Sequence, residues 1–133
     1  MNWYIFSAGI ISIIAFFIHA FVGDKEYKLI LPINEVESSK KMVSWIQGRS
    51  GWHWVSVDLL LSGIALLLIS ATNYLEGEKT IALLLGIYFL IVGVTWLGTV
   101  LFSKTKSNQI IVLGQWILCF LLSGLIFLGR GSL

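Results

Sequence analysis

The stretch TIALLLGIYFLIVGVTWLGTVLF, from Thr80 to Phe102, decides the class of this protein. It contains no Asp, Glu, Lys or Arg from its first residue to its last. A helix rises about 1.5 Å per residue, so about 20 residues cross the roughly 30 Å hydrocarbon core of a bilayer, and this stretch is long enough. Lipid offers no hydrogen-bond partners to the backbone, which must therefore satisfy itself as a helix. The stretch predicts a transmembrane helix.

Three further apolar runs of similar length accompany it: Trp3–Val22, Trp52–Thr72 and Gln109–Gly129. The connections 73–79 and 103–108 are short, whereas the connection 23–51 is several times longer than either. Connections as short as the first two join antiparallel neighbours. The chain 1–133 is therefore predicted to form one all-α domain, a polytopic membrane protein with an up-and-down bundle of four transmembrane helices.

The composition of the whole chain excludes other classes of protein. Of its 133 residues, 57% are hydrophobic and 12% are charged, whereas a soluble domain carries about 25% charged residues. A soluble domain is excluded for that reason, and 14% aromatic residues exclude a disordered chain. The net charge is only +2, and no basic stretch alternates with aromatic side chains, which argues against nucleic acid as a partner. The predicted partner is the lipid bilayer.

The distribution of Lys and Arg predicts the orientation of the bundle. Seven of these residues lie in the connections 23–51 and 103–108, against two, Lys79 and Arg130, on the other side. Cytoplasmic connections carry the excess of positive charge. We therefore expect a multi-pass protein of the inner (plasma) membrane, with both termini outside and the 23–51 linker in the cytoplasm.

The linker is predicted to contain a short helix of its own. Gly23–Glu26 has the composition of a turn that leaves the first helix, and Pro32 should break any helix at its position. Asn34 can cap a helix that continues to about Gln47, since Glu37 stands three positions later, as in a capping box. A partial apolar face predicts that this helix lies at the inner membrane interface. The alternative is an irregular loop.

Asp58 is the one Asp, Glu, Lys or Arg within the four predicted spans. A carboxylate at the centre of a membrane helix costs about 2.5–3.5 kcal/mol. Asp58 follows Trp52 at a distance of roughly 9 Å along a helix. We expect it to face the bundle interior or a wet cavity and to have a partner. The alternative is that it bonds Ser or Thr hydroxyls and only locks the packing of the helices.

The two histidines are predicted to lie at similar depth, close to the cytoplasmic interface. His19 is near the inner end of the first helix, His53 begins the second, and Asp24 lies just below His19. Imidazole and carboxylate suit a divalent metal, which makes His19 and His53 candidate metal ligands. A proton relay fits the same residues because imidazole titrates near neutrality. Axial ligation of haem and a pair of unconnected interfacial histidines are further alternatives.

Two other polar side chains are predicted at the same depth. Gln115 lies shortly after the start of the fourth span, and Thr99 lies near the inner end of the third. The outer half of the bundle is almost entirely apolar. This asymmetry predicts a polar pocket open to the cytoplasmic side. Small residues at helical spacing predict close helix packing instead of chemistry: Gly86, Gly93, Cys119 and Ser123.

Part of the sequence resembles a known group of proteins. The residues that carry the resemblance are His19-Ala-Phe-Val-Gly23-Asp24, then Pro32, then Trp52-His53. This pattern resembles that of small bacterial four-helix membrane proteins, a functionally uncharacterised group. The resemblance covers mainly the first half of the chain. It implies that His19, Gly23, Asp24 and His53 belong to one unit, and it implies no activity.

These observations favour a protein with a cytoplasmic-side site that binds a metal ion, proton or small ligand, for transport or sensing. The candidate site residues are His19, His53, Asp58, Asp24, Gln115 and Thr99. The first alternative is a structural or assembly subunit, either in a homo-oligomer or with a membrane partner. The second is a small membrane enzyme, although the sequence has no nucleophile elbow, Walker or dinucleotide-binding motif and only one cysteine.

Overall fold

The computed structural model describes residues 1–32, 38–72, 77–103, 110 and 113–133. These residues are helical apart from turns and short connections, and no strand is present among them. The α-helices are α1 (Trp3–Phe17), α2 (Asp24–Leu29), α3 (Ser38–Ala71), α4 (Glu78–Phe102) and α5 (Gln115–Arg130). A π-helical segment, Ile18–Gly23, joins α1 directly to α2.

Three helical stretches are long and apolar enough to cross a membrane: Trp3–Leu29, Ser39–Ala71 and Glu78–Phe102. The predicted all-helical class and the apolar, membrane-type helices are thereby confirmed. The last helix, α5, is apolar but has only 16 residues. It begins after Gly114, whose ψ of 14° lies outside the helical range. The start of the predicted run Gln109–Gly129 lies largely outside the described residues.

Helices α1 and α3 pack antiparallel along their length. At one end the Asn2 amide donates to the Ser70 carbonyl over 3.2 Å. Further along, the buried Ser12 hydroxyl donates to the Leu59 carbonyl over 2.7 Å. Gly63 allows close approach, because a Cβ there would lie 2.7 Å from Cδ1 of Ile13. Inside a bilayer the hydrophobic effect does not drive helices together, so close packing of small side chains and interhelical hydrogen bonds hold them together instead.

Helices α4 and α5 form the second antiparallel pair. The Ser123 hydroxyl donates to the Gly86 carbonyl over 2.9 Å, and Gly93 packs against Phe120. These are contacts of the small residues for which the sequence predicts close packing. The two pairs meet where α5 packs on α1: Asn2 Nδ2 donates to the Gly129 carbonyl over 2.7 Å.

The predicted turn at Gly23–Glu26 is wrong, because the first helix continues through these residues to Leu29. Contacts with α3 hold this continuation in place. Gly23 packs against the Trp52 indole, and Asp24 pairs with Arg49. The local sequence favours a turn at Gly23–Glu26, but the contacts with α3 stabilise a helix there instead.

The separate interfacial helix predicted in the linker is also wrong, because Ser38–Ala71 forms one helix of about 51 Å. The proposed cap residues Asn34 and Glu37 lie outside the described residues. The first part of α3 is supported by α2. The Trp45 indole donates to the Tyr27 carbonyl over 3.0 Å, and Gly48 leaves room for the Tyr27 phenol. The part of the linker with the partial apolar face is therefore the beginning of α3 and not a separate helix.

Candidate functional site

The π-helical segment places His19 against α3. In a π-helix the hydrogen-bonding pattern is widened by one residue, and such segments are frequent at functional sites. The His19 carbonyl accepts a hydrogen bond from Nε1 of Trp52 over 2.8 Å. The same indole stacks on the His19 ring, with 3.8 Å between ring centroids and 8° between planes. Trp52 thus fixes both the backbone and the side chain of His19.

His19 also contacts Ser56. Nδ1 of the imidazole lies 2.9 Å from the Ser56 hydroxyl. That hydroxyl is buried and lies 3.3 Å from the Trp52 carbonyl, to which it donates. Because Trp52 and Ser56 are one turn apart on α3, a single helix face orients the ring.

A cleft of about 460 Å³ lies beside this histidine, between α1, α3 and α5. Its volume is within the range of about 300–1,000 Å³ typical of small-molecule sites. Most of its wall is aliphatic, as in Ile11, Ile14, Leu59 and Leu118. The polar lining residues are His19, Glu26 and Gln115, with Trp52 beside them. An apolar wall with a few polar groups suits an amphipathic molecule.

Gln115, the first residue of α5, is a lining residue of the cleft with an unsatisfied polar atom. Its Oε1 atom is buried and has no hydrogen-bond partner among the described residues. A buried acceptor left unpaired costs about 1–3 kcal/mol. A ligand that donates a hydrogen bond to Oε1 would recover this energy.

A charged cluster centred on Asp24, the residue after the lining residue Gly23, lies next to the cleft. Asp24 is only 8% exposed and accepts two hydrogen bonds from Arg49, Nε to Oδ1 at 2.7 Å and Nη2 to Oδ2 at 3.2 Å. Lys28 Nζ lies 2.8 Å from Oδ2, and His53 Nε2 lies 3.2 Å from Oδ1. The two-pronged Arg–carboxylate pair is a strong, directional contact that fastens α2 to α3.

The structure brings together only some of the predicted site residues. His19 and Gln115 line the cleft, and Asp24 and His53 form the adjacent cluster. Thr99 does not belong to the cleft: it is exposed and donates to the Thr95 carbonyl of its own helix over 2.9 Å.

Asp58 is the clearest departure from expectation. The predicted position in the bundle interior is wrong, because its side chain is exposed, and the alternative of a wet cavity stays a prediction. It does have a partner, since Tyr88 on α4 donates its hydroxyl to Oδ2 over 2.8 Å. The reason is rotational: Ser56 faces α1, and Asp58, two positions later, is turned by about 200° to the other side of α3.

Three residues of the site were missed by sequence reasoning. Trp52 and Ser56 position His19, and Arg49 holds Asp24. The adjacent Trp52-His53 pair in the sequence could have pointed to Trp52. Nothing in the sequence connects Arg49 with Asp24, which precedes it by 25 positions.

The predicted metal ligands have separate partners. Nδ1 of His19 is engaged by Ser56 and Nε2 of His53 by Asp24. Within the described parts of the chain, no group of three or more His, Cys, Asp or Glu side chains could hold a metal ion. Comparisons with protein-family models, curated proteins and solved structures found no match to this chain. The resemblance, the assembly partner and the enzyme alternative therefore stay predictions.

Proposed function

We propose that the chain is a four-span, up-and-down protein of the plasma membrane. In this proposal α5 and the residues before it form the fourth span, both termini are outside and the 23–51 linker is cytoplasmic. Two observations support it. Asn2, Ser70 and Gly129 meet at one end of the helices, and the Asp24–Arg49 pair lies at the other. The second end is the one whose connections carry seven Lys and Arg residues.

The function we propose is binding of one small amphipathic molecule in the cleft between α1, α3 and α5. The observation that carries it is the buried Oε1 of Gln115, a residue of the largely apolar cleft lining, which has no hydrogen-bond partner among the described residues. A groove occupied only by lipid tails would give this atom no partner. Transport or sensing of the bound molecule would both begin with this step.

The ligand is proposed to enter from the bilayer. Three lining residues on the first helix are more than half exposed, Ile14 at 53%, Ile18 at 57% and Val22 at 55%. In a membrane, this side of the cleft faces lipid. A molecule with an apolar tail can therefore move sideways into the cleft without crossing water.

The test is photo-crosslinking in lipid nanodiscs with hexadecanol that carries a mid-chain diazirine. We expect saturable labelling of α1 and α5 positions that line the cleft, mapped by mass spectrometry. Ala15→Phe places a ring in the cleft and should reduce this labelling by about tenfold, the factor that corresponds to about 1.4 kcal/mol. Ile14→Trp, at a more exposed lining position, is a second variant that should also reduce labelling.

The matched control is Ala71→Phe, at an exposed position at the end of α3 and outside the cleft. It should leave labelling unchanged. The proposal fails if labelling is spread evenly over the lipid-facing surface, or if the two cleft variants, shown to be folded by circular dichroism, label like the control.

A further inference from the structure

We infer that the polar head of the bound molecule is an uncharged hydroxyl, an inference that rests on the proposed binding function. The polar lining of the cleft includes two hydrogen-bond acceptors of different kinds. Glu26 supplies a carboxylate, and Gln115 has an Oε1 atom without a hydrogen-bond partner among the described residues. Among the described residues, no Lys or Arg lines the cleft. A head group that donates a hydrogen bond fits this surface.

The imidazole of His19 adds a third polar group to the lining. Its Nδ1 atom lies 2.9 Å from the Ser56 hydroxyl, a contact that either neutral tautomer of the ring can make. A hydroxyl head both donates and accepts hydrogen bonds, so it suits His19 whichever ring nitrogen carries the proton.

The cations of the neighbouring charged cluster do not alter this preference. Arg49 and Lys28 both direct their charge onto Asp24. A phosphate or carboxylate head would therefore meet the Glu26 carboxylate, without a Lys or Arg among the described lining residues to compensate it. Burying an anion in such surroundings is costly.

An ammonium head is disfavoured for a different reason. The carboxylate of Glu26 is exposed, so water weakens its attraction for a cation. The rest of the cleft is largely aliphatic and offers a charge no solvation. A hydroxyl needs only one acceptor and loses little on leaving water. Long-chain alcohols, diacylglycerols and alkylated hydroquinones share this chemistry.

The experiment compares matched probes on the unmodified protein in nanodiscs. Diazirine-bearing hexadecanol, its methyl ether, hexadecanoate and hexadecylammonium have the same tail and differ only in the head. We expect the alcohol to label cleft positions about tenfold more than the ether, since a hydrogen bond to a buried acceptor is lost in the ether. Competition by unlabelled diacylglycerol or by an alkylated hydroquinone then tells the sources apart.

Gln115→Leu should reduce labelling by the alcohol by a similar factor while leaving the ether unaffected. Thr99→Val, a polar-to-apolar change outside the cleft, is the matched control. Equal labelling by alcohol and ether overturns the inference while the proposed cleft stands. Stronger labelling by hexadecanoate or hexadecylammonium overturns it as well. If none of the probes labels the cleft in a saturable way, the proposed function itself fails.

Discussion

The same substitution, glycine to alanine, is predicted to have opposite effects at Gly23 and Gly51. Both glycines lie within helical segments, Gly23 at the end of the π-helical segment and Gly51 inside α3. A Cβ at Gly51 would meet no atom within 4 Å. Alanine there should stabilise the protein by about 0.5–1 kcal/mol, because glycine in a helix loses more conformational freedom on folding.

At Gly23 the new methyl group would collide with the Trp52 indole. It would lie 2.9 Å from Cε2 and closer still to Cζ2. The indole has little freedom to move, because it stacks on the His19 ring and donates to the His19 carbonyl. Overpacking of this kind costs about 1–3 kcal/mol. After subtraction of the gain in helix propensity, we expect Gly23→Ala to destabilise the protein by about 0.5–2 kcal/mol.

The assay is reversible unfolding in mixed micelles, in which the fraction of SDS is raised and helix content is followed by circular dichroism. The two variants should move the midpoint in opposite directions, with a difference of about 1–3 kcal/mol in free energy of unfolding. Movement of both midpoints in the same direction by equal amounts would show that Trp52 is not held against Gly23, and the geometry given for the site would then be wrong.

Two further predictions concern the contacts that surround the cleft. Trp52→Phe keeps an aromatic ring on His19 but removes the hydrogen bond to the His19 carbonyl, so it should cost about 0.5–1.5 kcal/mol and increase hydrogen exchange at residues 18–23 in mass spectrometry. An unchanged exchange rate there would contradict the role given to the indole. Arg49→Met should lower the unfolding midpoint more than Lys25→Met, a matched change at an exposed neighbour of Asp24. In a protein that already carries Asp24→Asn, Arg49→Met should lower the unfolding midpoint much less. If the effects of the two substitutions on the midpoint were fully additive, Asp24 and Arg49 would not be paired.

Composition and spacing were enough to predict the membrane-type helices and the packing of small residues. Uncharged apolar runs as long as Thr80–Phe102 have few alternatives to a helix in lipid. The contact between Ser123 and Gly86 likewise follows from small side chains at helical spacing. His19 and Gln115 could be placed at the same depth by counting residues from the ends of their spans.

The direction in which each side chain points could not be predicted. The spans are apolar on all sides, so no apolar stripe fixes how a helix is rotated. This is why Asp58 was expected in the interior but lies beside Tyr88 on an exposed side. The end of the first helix was mispredicted for a different reason. The helix continues past Gly23 with Asp24 paired to Arg49, a residue that is distant in the sequence.

The unbroken length of α3 gives the cleft a mechanical connection to the cytoplasmic side of the proposed topology. Between Trp52, beside the cleft, and Ser38, where the helix begins, lie about 21 Å of continuous helix. A tilt of about 5° at Trp52 would displace the start of the helix by about 2 Å over that length. Because α3 is continuous, a displacement of its backbone at Trp52 would be carried to residues that lie beyond the cleft.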